Sequence, residues 1–256
     1  MNILAIDTTT KKASVSVKTN NCIYNDSIQN EITHSEKLLP LIDKVLTKSK
    51  LTLKDITMLA CINGPGSFTG IRIGLSTIKA FSQVQNINIF SINSLELLAY
   101  STILKNKNED IKYAISMVST NNDRVFYAIY NIEKIEEKFS ITNLTGIKNE
   151  YIEDAVEQIN SFLNKNNIKD FSICGNCIKN FENELLSLNC NKYDFYPDTN
   201  DCIKVIDYIY DNSKYIFNAY SLKATYARPS QAERMKNEKN WFKFIKNSWI
   251  ENRRYK

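Results

Sequence analysis

The chain has 256 residues, 43% of them hydrophobic and 24% charged, enough to bury a large apolar core without disulfides or a metal. No run approaches the roughly 20 apolar residues of a membrane span, and the start Met1-Asn2-Ile3-Leu4-Ala5-Ile6-Asp7 has no basic flank or cleavage site, so a cytoplasmic protein without membrane attachment is expected. The net charge of +5 sits at one end: from Glu233 to Lys256 eight Lys or Arg stand against three Glu (8 − 3 = +5), so residues 1–232 are neutral. That excludes a body holding nucleic acid by a global positive field and leaves any such role to the tail.

In chain order, Ile3–Asp7 is a short apolar run, Ala13–Lys18 alternates with period two, and Cys22–Ile28 follows, which predicts three strands joined by short turns. Leu38, Leu41, Ile42, Val45 and Leu46 recur at helical spacing, predicting an amphipathic helix over Ser35–Ser49, with Pro40 kinking it or marking a late start. A strand at Ile56–Ile62 runs into a glycine-rich string, followed by a helix over Ile71–Gln85, a strand at Ile87–Ile92 and a helix from Ser94 to Lys105. The order β-β-β-α-β-α-β-α implies a mixed sheet with crossover helices.

The polar stretch Lys105–Lys112 is the candidate boundary. Beyond it strands are expected at Tyr113–Val118, Val125–Tyr130, Phe139–Leu144 and Phe171–Cys174, and helices at Tyr151–Asn164, Phe181–Leu188 and Cys202–Tyr210. Two halves of similar order point to a structural duplication. The expected divisions are an N-terminal lobe over 1–105, a C-terminal lobe over 106–232 and a basic aromatic tail over 233–256. The tail is read as a helix sharing a face of Trp241, Phe244, Ile245 and Trp249.

Two loops carry candidate chemistry. Asp7-Thr8-Thr9-Thr10 places a carboxylate and three hydroxyls at a strand end, suited to a phosphate or to satisfying the turn's own backbone. Gly64-Pro65-Gly66-Ser67-Phe68-Thr69-Gly70, with Arg72 just beyond, joins a buried strand to a helix N-terminus, where free N–H groups favour an anion. It lacks the Lys-Ser/Thr pair of a Walker A loop. The same glycines equally permit a sharp reversal capped by Ser67 or Thr69. His34, the single histidine, is a lone base or a surface residue, and its solitude excludes every two-histidine metal site. Cys174 and Cys177 form one CxxC with no second pair, so the six cysteines read as small buried hydrophobes and no metal site is expected.

Three stretches together resemble the TsaB (YeaZ) family: Ile3–Thr8, His34-Ser35 with Leu38-Leu39-Pro40, and above all Gly64–Gly74; Tyr226–Glu233 is similar to the family's closing Tyr-x-Arg-x-Ser-x-Ala-Glu pattern. The resemblance implies a two-lobed α/β fold of the actin, Hsp70 and sugar-kinase (ASKHA) type, each lobe a mixed sheet with crossover helices. It implies a non-catalytic scaffold that pairs with the catalytic paralogue TsaD, and with the ATPase TsaE, to support threonylcarbamoyl transfer to adenosine 37 of ANN-decoding transfer RNA. In that reading Asp7–Thr10 is a vestigial nucleotide turn, this chain binds no cofactor, ATP and a metal ion enter through its partners, and a homodimer forms when the partner is missing. The family's second-lobe hairpin is here Ser119–Phe126, without its glycine and leading acid, and Gly175 is a single glycine where an ATPase of this fold has two. The resemblance sets the first two helices against the paralogue, with Leu38, Leu41, Ile42, Val45, Ile71, Gly74, Leu75 and Ile78 as interface residues. The helix after the glycine string carries two apolar stripes, one of Ile71, Leu75, Ile78 and Phe81 or Ser82, the other of Ile73, Thr77, Ala80 and Val84. An actin-like ATPase or small-molecule kinase, and a transfer RNA-binding module, remain as alternatives.

Overall fold

A computed structural model of the chain describes residues 1–20, 22–29, 34–106, 110–120 and 123–227. The expected tail helix, and the closing motif beyond Ala227, lie outside the described residues. Three strands open the chain, β1 (Ile3–Asp7), β2 (Lys12–Lys18) and β3 (Ile23–Gln29), followed by α1 (His34–Ser49), β4 (Met58–Ile62), α2 (Phe68–Gln85), β5 (Ile89–Ile92) and α3 (Ser94–Lys105). The second series is β6 (Tyr113–Ser119), β7 (Arg124–Ile135), β8 (Lys138–Asn143), β9 (Lys148–Tyr151), α4 (Ile152–Lys165), β10 (Ser172–Gly175), β11 (Asn191–Asp194), α5 (Thr199–Ile206) and β12 (Ile216–Phe217).

The duplication is visible in the pairing. One sheet runs β12-β5-β4-β1-β2-β3 and the other β11-β10-β6-β7-β8. Counting strands within each half, and setting aside β12 and the off-path strand β9, both read 5-4-1-2-3. The first three are antiparallel and the last two parallel to the first. In the second half β7 is long enough to pair with β8 at one end and β9 at the other. This is the two-lobed α/β architecture, each lobe a mixed sheet with crossover helices, that the family resemblance implies.

Burial explains the patterns. β1 is buried at all five residues because helices cover both faces of its sheet, so it reads as an apolar run, whereas the edge strand β3 alternates half-buried and exposed. α1 starts at His34 and continues through Pro40. Pro40 lies on the exposed side, where water reaches the carbonyl that its missing N–H leaves unpaired. Ser67 caps α2 by accepting from Gly70 N, and Asn86 ends it in the left-handed conformation at φ 52°. Asn93 caps α3, accepting from Leu95 N and Glu96 N.

The last helix of each half sits between the sheets and packs on the other half's sheet: α3 touches β6, β7, β8 and β10, while α5 touches β1, β2 and β4. One apolar cluster therefore joins Ile3, Ala5 and Phe90 of the first sheet, Leu97 and Tyr100 of α3, Cys202 and Ile206 of α5, and Ala128 and Tyr130 of the second sheet. α1 and α2 cover the outer face of the first sheet, and α4 that of the second. Of the segment 106–232, residues 113–194 build the second sheet, whereas α5 and β12 lie on the first.

Three expectations differ. The helix expected at Phe181–Leu188 is a run of turns ending in a 3-10 stretch, Glu184–Ser187. α5 stops at Ile206, short of Tyr210. The strands β9, β11 and β12 went unread because the first two, Lys-Asn-Glu-Tyr and Asn-Lys-Tyr-Asp, carry no apolar run and the third is two residues long.

Candidate functional site

The two loops singled out by sequence meet, and they close on each other. Asp7, Thr8 and Thr9 are each 2% exposed. Thr8 Oγ1 donates to Gly70 O at 2.7 Å and Ser67 N donates to Thr9 O at 2.6 Å. A methyl group placed on Gly66 would strike the carbonyl oxygen of Thr9, one on Gly70 that of Thr8, and one on Gly74 the hydroxyl of Thr8. The glycine spacing is therefore a seat that lets the first turn of α2 lie directly on the turn after β1, a role beyond both sequence readings. The rest of the string is held from elsewhere: Ser94 N donates to Gly64 O at 2.7 Å, Ser94 Oγ to Pro65 O at 2.9 Å, and Thr225 N to Asn63 O at 2.8 Å. Gly64, at φ 108°, takes a conformation that suits glycine, with Thr225 O against it.

The carboxylate of the turn is also engaged within the fold. Thr9 N and Thr9 Oγ1 donate to Asp7 Oδ1 at 2.8 and 2.7 Å, and the Tyr196 hydroxyl lies 3.0 Å from Thr9 Oγ1. Since the Thr9 hydroxyl proton goes to Asp7, Tyr196 donates to Thr9. Burial, and then the charge of Asp7, push the Tyr196 phenol above its ordinary value. Thr10 Oγ1 donates to Lys12 O and accepts from Lys12 N, both at 3.1 Å. Tyr196 lies between β11 and α5, and beside it Ser16 and Thr199 share a buried hydrogen bond of 2.7 Å. Nothing in the local sequence marks Tyr196 or Thr199; only the crossing of α5 onto the first sheet brings them here.

The corresponding place in the second half is filled the same way. Ser119 N donates to Asn176 Oδ1 at 3.0 Å, and a methyl group on Gly175 would strike Met117 O. Arg124 is held by Asn149, through Nε to Oδ1 at 3.1 Å and Nη2 to the carbonyl at 2.6 Å, and lies over the Tyr151 ring. Cys174 and Cys177 are buried among Ile115, Ser116 and Met117, and burial pushes their thiols up to about 11 and about 12. Among the described residues no three of His, Cys, Asp and Glu converge as metal ligands.

The eight residues expected at a partner interface are core. Leu38, Leu41, Ile42, Val45, Ile71, Leu75 and Ile78 are 0–7% exposed and pack on Leu4, Val15 and Leu59 of the first sheet, and Gly74 is buried against Thr8. The reason is the ordinary one: the most apolar stripe of a crossover helix is the one its own sheet needs. The second stripe of α2 faces outward, with Ile73 and Thr77 half-buried, Ala80 exposed and Val84 79% exposed; Leu39, 55% exposed, and Pro40 lie outward on α1.

A family model described as "TsaD: tRNA N6-adenosine threonylcarbamoyltransferase" matches residues 29–192. The chain is 41% identical over 114 residues to the tRNA threonylcarbamoyladenosine biosynthesis protein TsaB of Buchnera aphidicola subsp. Schizaphis graminum, covering 44% of this chain and 54% of that one. To TsaB of Escherichia coli it is 35% identical over 112 residues, 41% of this chain and 46% of that one. Against these two curated relatives it spans about half of their length. YeaZ from Pseudomonas aeruginosa superposes with a TM-score of 0.67 at 16% identity, over 88% of this chain and 99% of that structure, and so shares the fold. No helix among the described residues is long and apolar enough to cross a membrane.

Proposed function

The chain belongs to the TsaD family of tRNA N6-adenosine threonylcarbamoyltransferases, among its TsaB relatives, and from that premise we propose that it is the scaffold half of a threonylcarbamoyl-transferring pair. In this reading it binds a TsaD-like paralogue in the cytoplasm, a TsaE-like ATPase joins them, and the pair modifies adenosine 37 of ANN-decoding transfer RNA. The observation that carries the scaffold role is the seating of the glycine string on Asp7–Thr9. The groups that would hold a phosphate in an actin-like kinase are here hydrogen-bonded to one another and to Tyr196. Nucleotide and metal chemistry accordingly fall to the partners, and this chain contributes no catalytic residue.

The surface best suited to the paralogue is the outward stripe Ile73, Thr77, Ala80 and Val84 of α2 with Leu39 and Pro40 of α1. Its small residues admit a close helix–helix approach, and Ala80, Val84, Leu39 and Pro40 are exposed in the single chain beside half-buried Ile73 and Thr77. The same stripe would serve a homodimer when the paralogue is missing. Co-expression with the paralogue tests the reading. A stable pair that restores the modification, together with background ATP hydrolysis by the chain alone, is the expected result. Steady ATP turnover by the isolated chain that disappears in Asp7→Ala would overturn it in favour of a kinase or ATPase.

A further inference from the structure

The two halves meet along a seam that is not wholly apolar. α3 and its cap bring Asn93, Glu96 and Tyr100 to it, β7 brings Tyr130, and the 3-10 turn Ser213–Tyr215 ahead of β12 brings Lys214 and Tyr215. Tyr100, Tyr130 and Tyr215 share one core cluster and are 1%, 0% and 4% exposed. Several polar groups here have partners. Asn93 Nδ2 donates to Glu96 Oε2 at 2.6 Å, Tyr100 Oη to Phe139 O at 3.5 Å and Lys214 Nζ to Ile141 O at 3.4 Å. The hydroxyls of Tyr130 and Tyr215 do not: among the described residues neither has a hydrogen-bond partner.

Both hydroxyls belong to one place. After burial, the charge of Glu96 is the largest cause holding each phenol above its ordinary value, and Tyr130 acts on Tyr215 as well. Asn93 borders the first hydroxyl and Tyr100 the second, but neither meets it in bonding geometry. The two rings are fixed by different sheets. Tyr130 sits in β7 between Ala114 of β6 and Asn143 of β8, while Tyr215 packs on Phe90 of β5 with ring centroids 5.6 Å apart. The place also has a polar entrance, because Asn93 and Glu96 are half-buried and Lys214 is exposed.

A phenol hydroxyl both donates and accepts, and burying one without a partner costs more than a typical hydrogen bond contributes. Folded proteins satisfy nearly all such groups, through protein atoms or ordered water. Two phenols and a carboxyl call for an uncharged molecule that can donate and accept, and water does both at the smallest size. We infer that Tyr130, Tyr215 and Glu96 form a site for ordered water in the seam, where water bridges α3 and β7 to the segment leading into β12. The inference does not depend on the function proposed above.

The test uses the full chain with Tyr130→Phe, Tyr215→Phe and the two together, which remove the hydroxyls and keep the rings. Tyr220→Phe, at a site 82% exposed, is the control. Oxygen-17 relaxation dispersion counts long-lived internal waters, and a urea titration gives the unfolding equilibrium. The double variant should hold fewer long-lived waters than the parent chain. Each single variant should raise the unfolding equilibrium constant by about fivefold, the worth of one hydrogen bond, and the control should change neither reading. An unchanged water count in the double variant overturns the inference whatever the stability, since destabilisation alone would then mean a direct bond to Asn93 or Tyr100. Single variants as stable as the parent, or more so, also overturn it, because that is how hydroxyls without any partner behave.

Discussion

The two sheets share a strand order but are crossed differently after their fourth strand. In the first, the chain leaves β4 through the glycine string and returns along the 18 residues of α2; in the second, it leaves β10 through Gly175 and returns by turns and the short 3-10 stretch Glu184–Ser187. Both crossings rest a glycine on a backbone carbonyl at the end of the first strand, Gly70 on Thr8 and Gly175 on Met117. A helix of full length has a side left over once its sheet is covered, and a run of turns does not. The difference gives the first lobe an outward apolar stripe along α2, and under the function proposed above the partner is expected on that lobe.

The largest expected effect breaks both crossings alike. Ile78→Glu and Leu185→Glu each place a carboxylate at a site 0% exposed, and each should cost most of the about 5–15 kcal/mol that holds a domain folded. Circular dichroism through a urea titration reads this directly. A folded Ile78→Glu chain would return that stripe to the surface and undo the distinction drawn here. Next come the seats: Gly70→Ala and Gly175→Ala should each lose about 1–3 kcal/mol by forcing a methyl group onto a carbonyl. Gly146→Ala meets open space and bears only a positive φ of 71°, so about 1–2 kcal/mol is expected from the same titration.

Smaller changes sharpen the comparison. Tyr196→Phe removes the donor to Thr9 and should cost about 1 kcal/mol, with faster amide exchange in β1 and α5 as its local mark. Val84→Glu, at 79% exposure, should leave stability within about 0.5 kcal/mol yet weaken binding to the paralogue more than tenfold by calorimetry. Should Glu157→Arg on α4 prove the more damaging to pairing, the partner sits on the second lobe instead.

Much of the first lobe was legible because its elements are long and periodic. The helices at 34–49, 68–85 and 94–105 fall within a few residues of their expected bounds, since their apolar spacing is set by the sheet they cover. Which stripe of α2 faces outward was not legible, because the sequence shows two and only packing decides; the richer one, Ile71-Leu75-Ile78, went to the core. The role of the glycines was hidden for a related reason. Their spacing matches the positions of Thr8 and Thr9, some 60 residues away in sequence, and a local reading sees only a turn. Tyr196 was invisible altogether, since its partner Thr9 lies 187 positions earlier.

The exchange of α3 and α5 between the halves has a consequence for how the chain is made. The inner face of the first sheet waits for α5, which begins only at Thr199, and β12 joins that sheet's edge later still. Synthesis therefore leaves Ile3, Ala5 and Phe90 without their final cover until most of the chain has emerged. The first 105 residues, although they hold every strand of one sheet but β12, are therefore expected to aggregate when made alone. A fragment ending before Thr199 should need a chaperone that the whole chain outgrows.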